Sequence, residues 1–230
     1  MSHSGIIFPG IIACFAVSLA ATVIIPNSQL GSLSPEIKEE DGRFVDAYPV
    51  ADLSLAARGK EVYVSQGCQS CHTQVVRGND TADVERGWGV RKTVPRDYLF
   101  ENPPLVGAGR LGPDLANVGS TAWRNEPADD PYKPVKRDAA WQMLHLYHPT
   151  AVSKLSNMPS YSFLFQKHRI AGSGDKDALT NLPKTLLPED GFEIVPSADV
   201  KALVAYLLSL DRSHSLKEAP AVAASAPAHK

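Results

Sequence analysis

The sequence predicts an all-α chain, with a single N-terminal transmembrane helix ahead of one helical domain that carries long loop insertions. Three observations carry that expectation. An uncharged run of twenty residues opens the chain, later segments repeat apolar residues at spacings of three and four, and no run alternates convincingly as a half-buried strand would. Eighteen prolines and sixteen glycines among the 230 residues assign much of the remainder to loops.

The opening run, "IIFPGIIACFAVSLAATVII" (6–25), contains no charged side chain. At about 1.5 Å per residue, twenty helical residues span the roughly 30 Å hydrocarbon core of a bilayer. A cleaved leader would need a basic segment before the run. "MSHSG" has no Lys or Arg, although Ser18 and Ala20 offer a small-residue cleavage site. The reading is a retained anchor over residues 1–25, with Cys14 as a small apolar residue facing lipid or a partner helix.

Residues 26–52 are polar, broken by Pro and Gly, and include the acidic run Glu39-Glu40-Asp41; they read as a linker. The domain is expected over 53–212. Its first helix covers 53–66, with Leu55, Gly59, Val62, Tyr63 and Gln66 on one stripe. A second runs from about Asp138 to Tyr147 and is stopped by Pro149. The last opens at Ser197, a candidate N-cap, and carries Val200, Leu203, Val204, Leu207 and Leu208 on one face. The Ala/Pro-rich end, 213–230, has nothing to bury and reads as disordered. The formal net charge of -2 argues against a nucleic-acid partner.

Two of the three cysteines lie in "GCQSCHTQVVRG" (67–78), as Cys68 and Cys71 with His72 directly after. An odd, sparse cysteine count is not a disulfide framework. Zinc needs four ligands, and no second Cys or His pair at matching spacing follows. A redox dithiol would want a strand before the motif, whereas the flank here is helical. One covalently attached haem c accounts for all three residues: the two thiols add to the vinyl groups and His72 ligates the iron.

A sixth ligand is then required. Met143 sits on an amphipathic helical stripe and reads as core; Met158 lies in the loop "SNMPSY", held by Pro159. Met158 is therefore the expected ligand, and Met/His ligation raises the reduction potential. His145 and His148 are the rivals, giving a bis-His iron. In "RLGPDLANVG" (110–119), the carbonyl of Pro113 is a candidate acceptor for the other ring nitrogen of His72, and Leu115 a candidate to pack on the porphyrin.

The order of a helix, "GCQSCH", "GPDL", "NMPSY" and a terminal "LVAYLLSL" resembles class I cytochromes c. That resemblance implies a crossing of the first and last helices at Gly59, Tyr63 and Tyr206, and a Pro113 carbonyl that accepts from the proximal histidine. "GKEVYVSQGCQSCHTQVVR", "GRLGPDLANVG" and "HLYHPTAVSKLSNMPSYSFL" further resemble the mono-haem, membrane-anchored subunit of cbb(3)-type haem-copper cytochrome c oxidases, with Gln74, Arg77 and "HLYHP" going beyond a generic cytochrome. The family implies electron transfer to the haem-copper catalytic subunit alongside other cytochrome c subunits. It also implies a single-pass location in a bacterial inner membrane, with the haem domain on the periplasmic side. The segment "NEPADDPYKPVKR" (125–137) and the long loop 166–196 depart from that pattern. No acid/base pair, nucleophile or phosphate loop suggests catalysis by this chain itself. The alternative is a free-standing, membrane-tethered cytochrome c that shuttles electrons between complexes.

Overall fold

The computed structural model describes residues 4–51, 54–78, 82–86, 88–120 and 137–221. Leu53, Trp123, most of the 125–137 segment and the tail from 222 onward therefore lie outside the described residues. The chain divides into two units, Met1–Val50 with Pro95–Phe100 and Ala51–Val94 with Glu101–Lys230.

In the first unit, α1 (Ser4–Leu19) passes through a π-helical turn (Ala20–Ile24) into α2 (Ile25–Leu30). Gly5–Leu30 is thus 26 residues of helix, long and apolar enough to cross a membrane. The helix outlasts the uncharged run because Asn27, Ser28 and Gln29 are polar without breaking it, and it ends at Gly31. Residues 36–48, read from the sequence as linker, form an antiparallel hairpin of β1 (Glu36–Glu40) and β2 (Arg43–Tyr48). Asp41 and Gly42 turn it, with φ of 52° and 71°. Asp-Gly is the pair that a two-residue hairpin with both φ positive favours. Tyr48 donates from its hydroxyl to Asp97 Oδ1 at 2.7 Å, and the Arg96 guanidinium donates to the Ser34 carbonyl.

The second unit is built on α3 (Leu55–Ser65) and the last helix. Between them come α4 (Ala82–Glu85), α5 (Ala139–Tyr147) and α6 (Pro149–Val152). β3 (Phe165–Arg169), β4 (Phe192–Pro196) and α7 (Ala198–Ser209) complete the order. Each of the three long helices starts on a side-chain cap, at Ser197 where the sequence offers one, at Asp138 where the second helix is expected to begin, and at Ser54, one residue into the 53–66 stretch read as the first helix. Ser54 Oγ accepts from Ala56 N at 3.2 Å, Asp138 Oδ1 from Trp141 N at 3.0 Å, and Ser197 Oγ from Val200 N at 3.3 Å.

The core joins α3 and α7. Val62, Tyr63, Val200, Leu203 and Val204 are buried, and α3 crosses α7 at Gly59. A Cβ at Gly59 would fall on the carbonyl of Ala202 and lie 2.7 Å from Cβ of Tyr206. The Tyr63 and Tyr206 rings meet with centroids 5.4 Å apart, so the crossing lies where the resemblance to class I cytochromes c implies it.

The all-α expectation does not hold. Besides the β1–β2 hairpin, β3 and β4 pair antiparallel in register from Phe165↔Pro196 to Arg169↔Phe192. In β3 only Phe165 is buried, and four of the five β1 residues are exposed. β1 and β3 have almost no buried face and so no apolar alternation to read, and in β4 the buried residues Ile194, Val195 and Pro196 are consecutive rather than alternating. The end read as disordered also differs over 213–221: Leu216 and Ala219 bridge one another and are buried at 2% and 1% exposure.

Candidate functional site

The cysteine motif begins where α3 stops. Gly67 takes φ 72°, a left-handed value that costs glycine nothing, and reverses the chain into a tight turn over Cys68–Ser70. His72 N and Cys71 N both donate to the Cys68 carbonyl, at 3.0 and 3.1 Å. The two thiols are free. Cys68 is half-buried against the core, and burial pushes its thiol up to about 11.

The segment 106–115 lies along the motif. Gln74 N donates to Val106 O, Ala108 N to Gln69 O, Gly112 N to Cys71 O and Leu115 N to Thr73 O, all within 3.0 Å. Gly112 is necessary there because a Cβ would strike the His72 ring, 2.8 Å from Nδ1. His72 Nδ1 lies 2.8 Å from the Pro113 carbonyl. A carbonyl oxygen can only accept, so Nδ1 carries the proton and Nε2 keeps its lone pair. Burial lowers the pKa of His72, which keeps the ring neutral and able to ligate.

Leu115 and Met158 are half-buried, and both pack on the same core as Cys68. The Met158 loop is fastened by Tyr161 N to Leu146 O (2.9 Å) and Ser160 Oγ to Tyr147 O (2.5 Å), and Met158 N donates to Ser156 Oγ (3.2 Å). Met143 packs on that core too, from within α5. Of the rival histidines, His148 Nδ1 is paired with Thr150 Oγ1 at 3.0 Å. His145 stacks on Trp141 (4.7 Å, 12°), its Nδ1 is buried without a hydrogen-bond partner, and burial lowers its pKa to about 4.

A polar cluster not anticipated from the sequence flanks His72. Asp83, fully buried, accepts from Arg77 N, Nε and NH2 and from Arg110 NH1 and NH2, at 2.7–3.1 Å. Burial alone would raise this carboxyl, but the hydrogen bonds from Arg77 and Arg110 outweigh it and hold it well below the usual carboxylate range. Asp114 accepts from Thr73 Oγ1 (2.5 Å) and Val75 N (2.8 Å) through Oδ2, and from Ala116 N through Oδ1 (2.9 Å). Gln74, also buried, hydrogen-bonds the Tyr206 hydroxyl at 3.0 Å. Of these, the sequence singles out Gln74, Arg77 and Tyr206, and not Asp83, Arg110 or Asp114 by themselves. Asp83 stands in "NDTADVERG", which carries no recognisable motif, and its two arginines are 6 and 27 residues away.

The arrangement presents two cysteine thiols and one imidazole whose Nε2 lone pair is uncommitted on a tight turn. Those donors suit covalent capture of a porphyrin and ligation of its iron from one side. No curated protein matches the chain. The family model described as "Cytochrome C oxidase, mono-heme subunit/FixO" matches residues 6–183, which takes in the N-terminal helix, the cysteine motif, the Pro113 turn and the Met158 loop. The chain belongs to the mono-haem subunit family of cytochrome c oxidase, whose members bind one haem and transfer electrons within an oxidase complex.

Proposed function

We propose that this chain would hold a single haem c through thioethers at Cys68 and Cys71, with His72 and Met158 as the side chains that ligate its iron, and pass electrons to the haem-copper catalytic subunit. The observation that carries the reading is the fixed tautomer of His72: its Nδ1–H is committed to Pro113, beside two free thiols, in a member of a mono-haem family. When bound, the haem supplies a one-electron Fe(III)/Fe(II) couple. The protein does the rest. The Pro113 carbonyl orients the imidazole and increases its basicity. Leu115 excludes water on the His72 side, and the tied-down loop holds Met158 in both oxidation states. No bond is made or broken in the transfer, so no catalytic residue is required of this chain.

In the same reading, Gly5–Leu30 crosses the bacterial inner membrane once and the haem domain faces the periplasm. The domain runs over 53–212, with other cytochrome c subunits beside the catalytic one.

Purification through this chain in mild detergent tests the assignment. The expected result is a covalent haem that survives denaturation and a co-purifying haem-copper subunit; a lone cytochrome would overturn the partner. The oxidised protein should show the near-infrared Met-to-iron charge-transfer band. Met158→Ala should abolish the band and Met143→Leu leave it, whereas Met158→His should keep a low-spin iron at a lower potential. Loss of the band in Met143→Leu instead would overturn the ligand. Protease added to spheroplasts should remove the haem domain; a protected domain would reverse the orientation.

A further inference from the structure

We propose that Arg110, held between Asp83 and Asp114, is a positioning residue for the proximal histidine: it sets the orientation of the His72 ring and the electrostatic field at the iron. The inference rests on the reading of His72 as a haem ligand.

His72 is followed at once by residues 73–77, and the carbonyl that orients its ring belongs to 110–114. These two stretches are the ones Arg110 joins. Its Nε donates to Thr73 Oγ1 (2.8 Å), its NH2 to the Val75 carbonyl (2.6 Å), and its NH1 to Asp83 Oδ1 (2.7 Å). The Asp114 carboxylate lies 3.7 Å from NH2 and grips the same Thr73 and Val75 from the other side. Above the guanidinium stands Trp88, with Cζ 5.4 Å from the ring centroid. Arg110 is 19% exposed and both carboxylates are fully buried. Four of its five N–H donors are met by protein acceptors, two of them on the buried Asp83 carboxylate, and water cannot replace these bonds cheaply.

Geometry and charge give separable consequences. A planar fork that reaches Thr73, Val75 and Asp83 together cannot be replaced by an ammonium, which is a single point of charge. Losing the fork frees 73–75 to drift against 110–114, and the hydrogen bond between His72 and Pro113 spans that seam. Losing the positive charge would leave Asp83 and Asp114 less compensated, and since Asp114 acts electrostatically on His72, the field there would favour the ferric form of a bound haem.

The test uses full-length holoprotein in detergent, read by the midpoint potential and by the ferric low-spin g-values in electron paramagnetic resonance. Arg110→Gln should lower the midpoint and shift and broaden the g-values, because both charge and fork are gone. Arg110→Lys should keep most of the midpoint but still broaden the g-values. Lys201→Gln, which breaks the remote Lys201–Asp177 pair (2.5 Å), should move neither. Wild-type g-values and midpoint in Arg110→Gln would overturn the proposal, even with a lowered unfolding temperature, since the residue would then be merely structural. If Arg110→Gln yields no holoprotein, wild-type g-values in Arg110→Lys overturn it instead. A wild-type chain without covalent haem would overturn the underlying reading, and that outcome shows before any variant is made.

Discussion

At the crossing of α3 and α7, distant segments come together because something is missing. Gly59 has no side chain, so the Ala202 carbonyl and the Tyr206 side chain can approach its backbone. Beside His72, the segments 73–77 and 110–114 come together because something is present: Asp83 and Asp114, both fully buried, each gather donors from more than one stretch of chain. The first contact is apolar, non-directional and tolerant of small shifts. The second is built from charged hydrogen bonds, and each partner depends on the others. The two should therefore fail differently, the crossing by swelling and the clamp by leaving charges without partners.

The largest expected effect comes from breaking the clamp. Asp83→Ala would strand the Arg110 guanidinium, and removing one partner of a buried pair typically costs about 3–5 kcal/mol. The lower end is expected, since Arg77 is 55% exposed and can be rehydrated. Denaturant unfolding of the holoprotein checks it, and a loss below about 1 kcal/mol would mean that water replaces the carboxylate.

The same carboxylate sets an acid limb. Its folded pKa lies below the unfolded value of about 3.9, so its contribution is complete above that pH. It drains away as pH falls from there toward the folded pKa. Unfolding midpoints followed from about pH 6 to about pH 2.5 should fall less steeply at the acid end in Asp83→Asn than in wild type.

Breaking the crossing comes next. Gly59→Leu overpacks a contact made by backbone, at a cost of about 1–3 kcal/mol, and should lower the unfolding temperature. An unchanged midpoint would mean that α3 and α7 can separate freely. Ser197→Ala removes the cap of α7 and should cost about 1 kcal/mol, measured the same way. The smallest effect sharpens the contrast between buried and exposed charge. Arg58 pairs with Asp199 at 3.0 Å across the ends of α3 and α7, but the two side chains are 60% and 45% exposed. Arg58→Ala should change stability by no more than about 0.5 kcal/mol.

This contrast also explains what could be read in advance. The stripe that includes Gly59, Val62 and Tyr63, and the one from Val200 to Leu208, are periodic within single helices, so local sequence carries them. Cys68, Cys71, His72 and Pro113 lie in compact motifs whose chemistry constrains spacing. Asp83 and Arg110 are ordinary charged residues until the fold closes a 27-residue gap between them, and no local pattern records that. The β3–β4 pairing likewise joins segments more than twenty residues apart, one of them, β3, exposed along nearly its whole length. The β1–β2 hairpin is a different miss, since Asp41-Gly42 was legible as a turn and was read as part of a linker instead.

The half-buried thiol of Cys68 has a consequence for timing. A group that titrates near 11 is ionised in only about one molecule in ten thousand at neutral pH. With the domain closed, that sulfur is a poor nucleophile, because burial outweighs the hydrogen bond from Tyr161 that would ease its ionisation. Under the proposed haem c attachment, thioether formation at Cys68 would therefore be favoured before the domain closes around it.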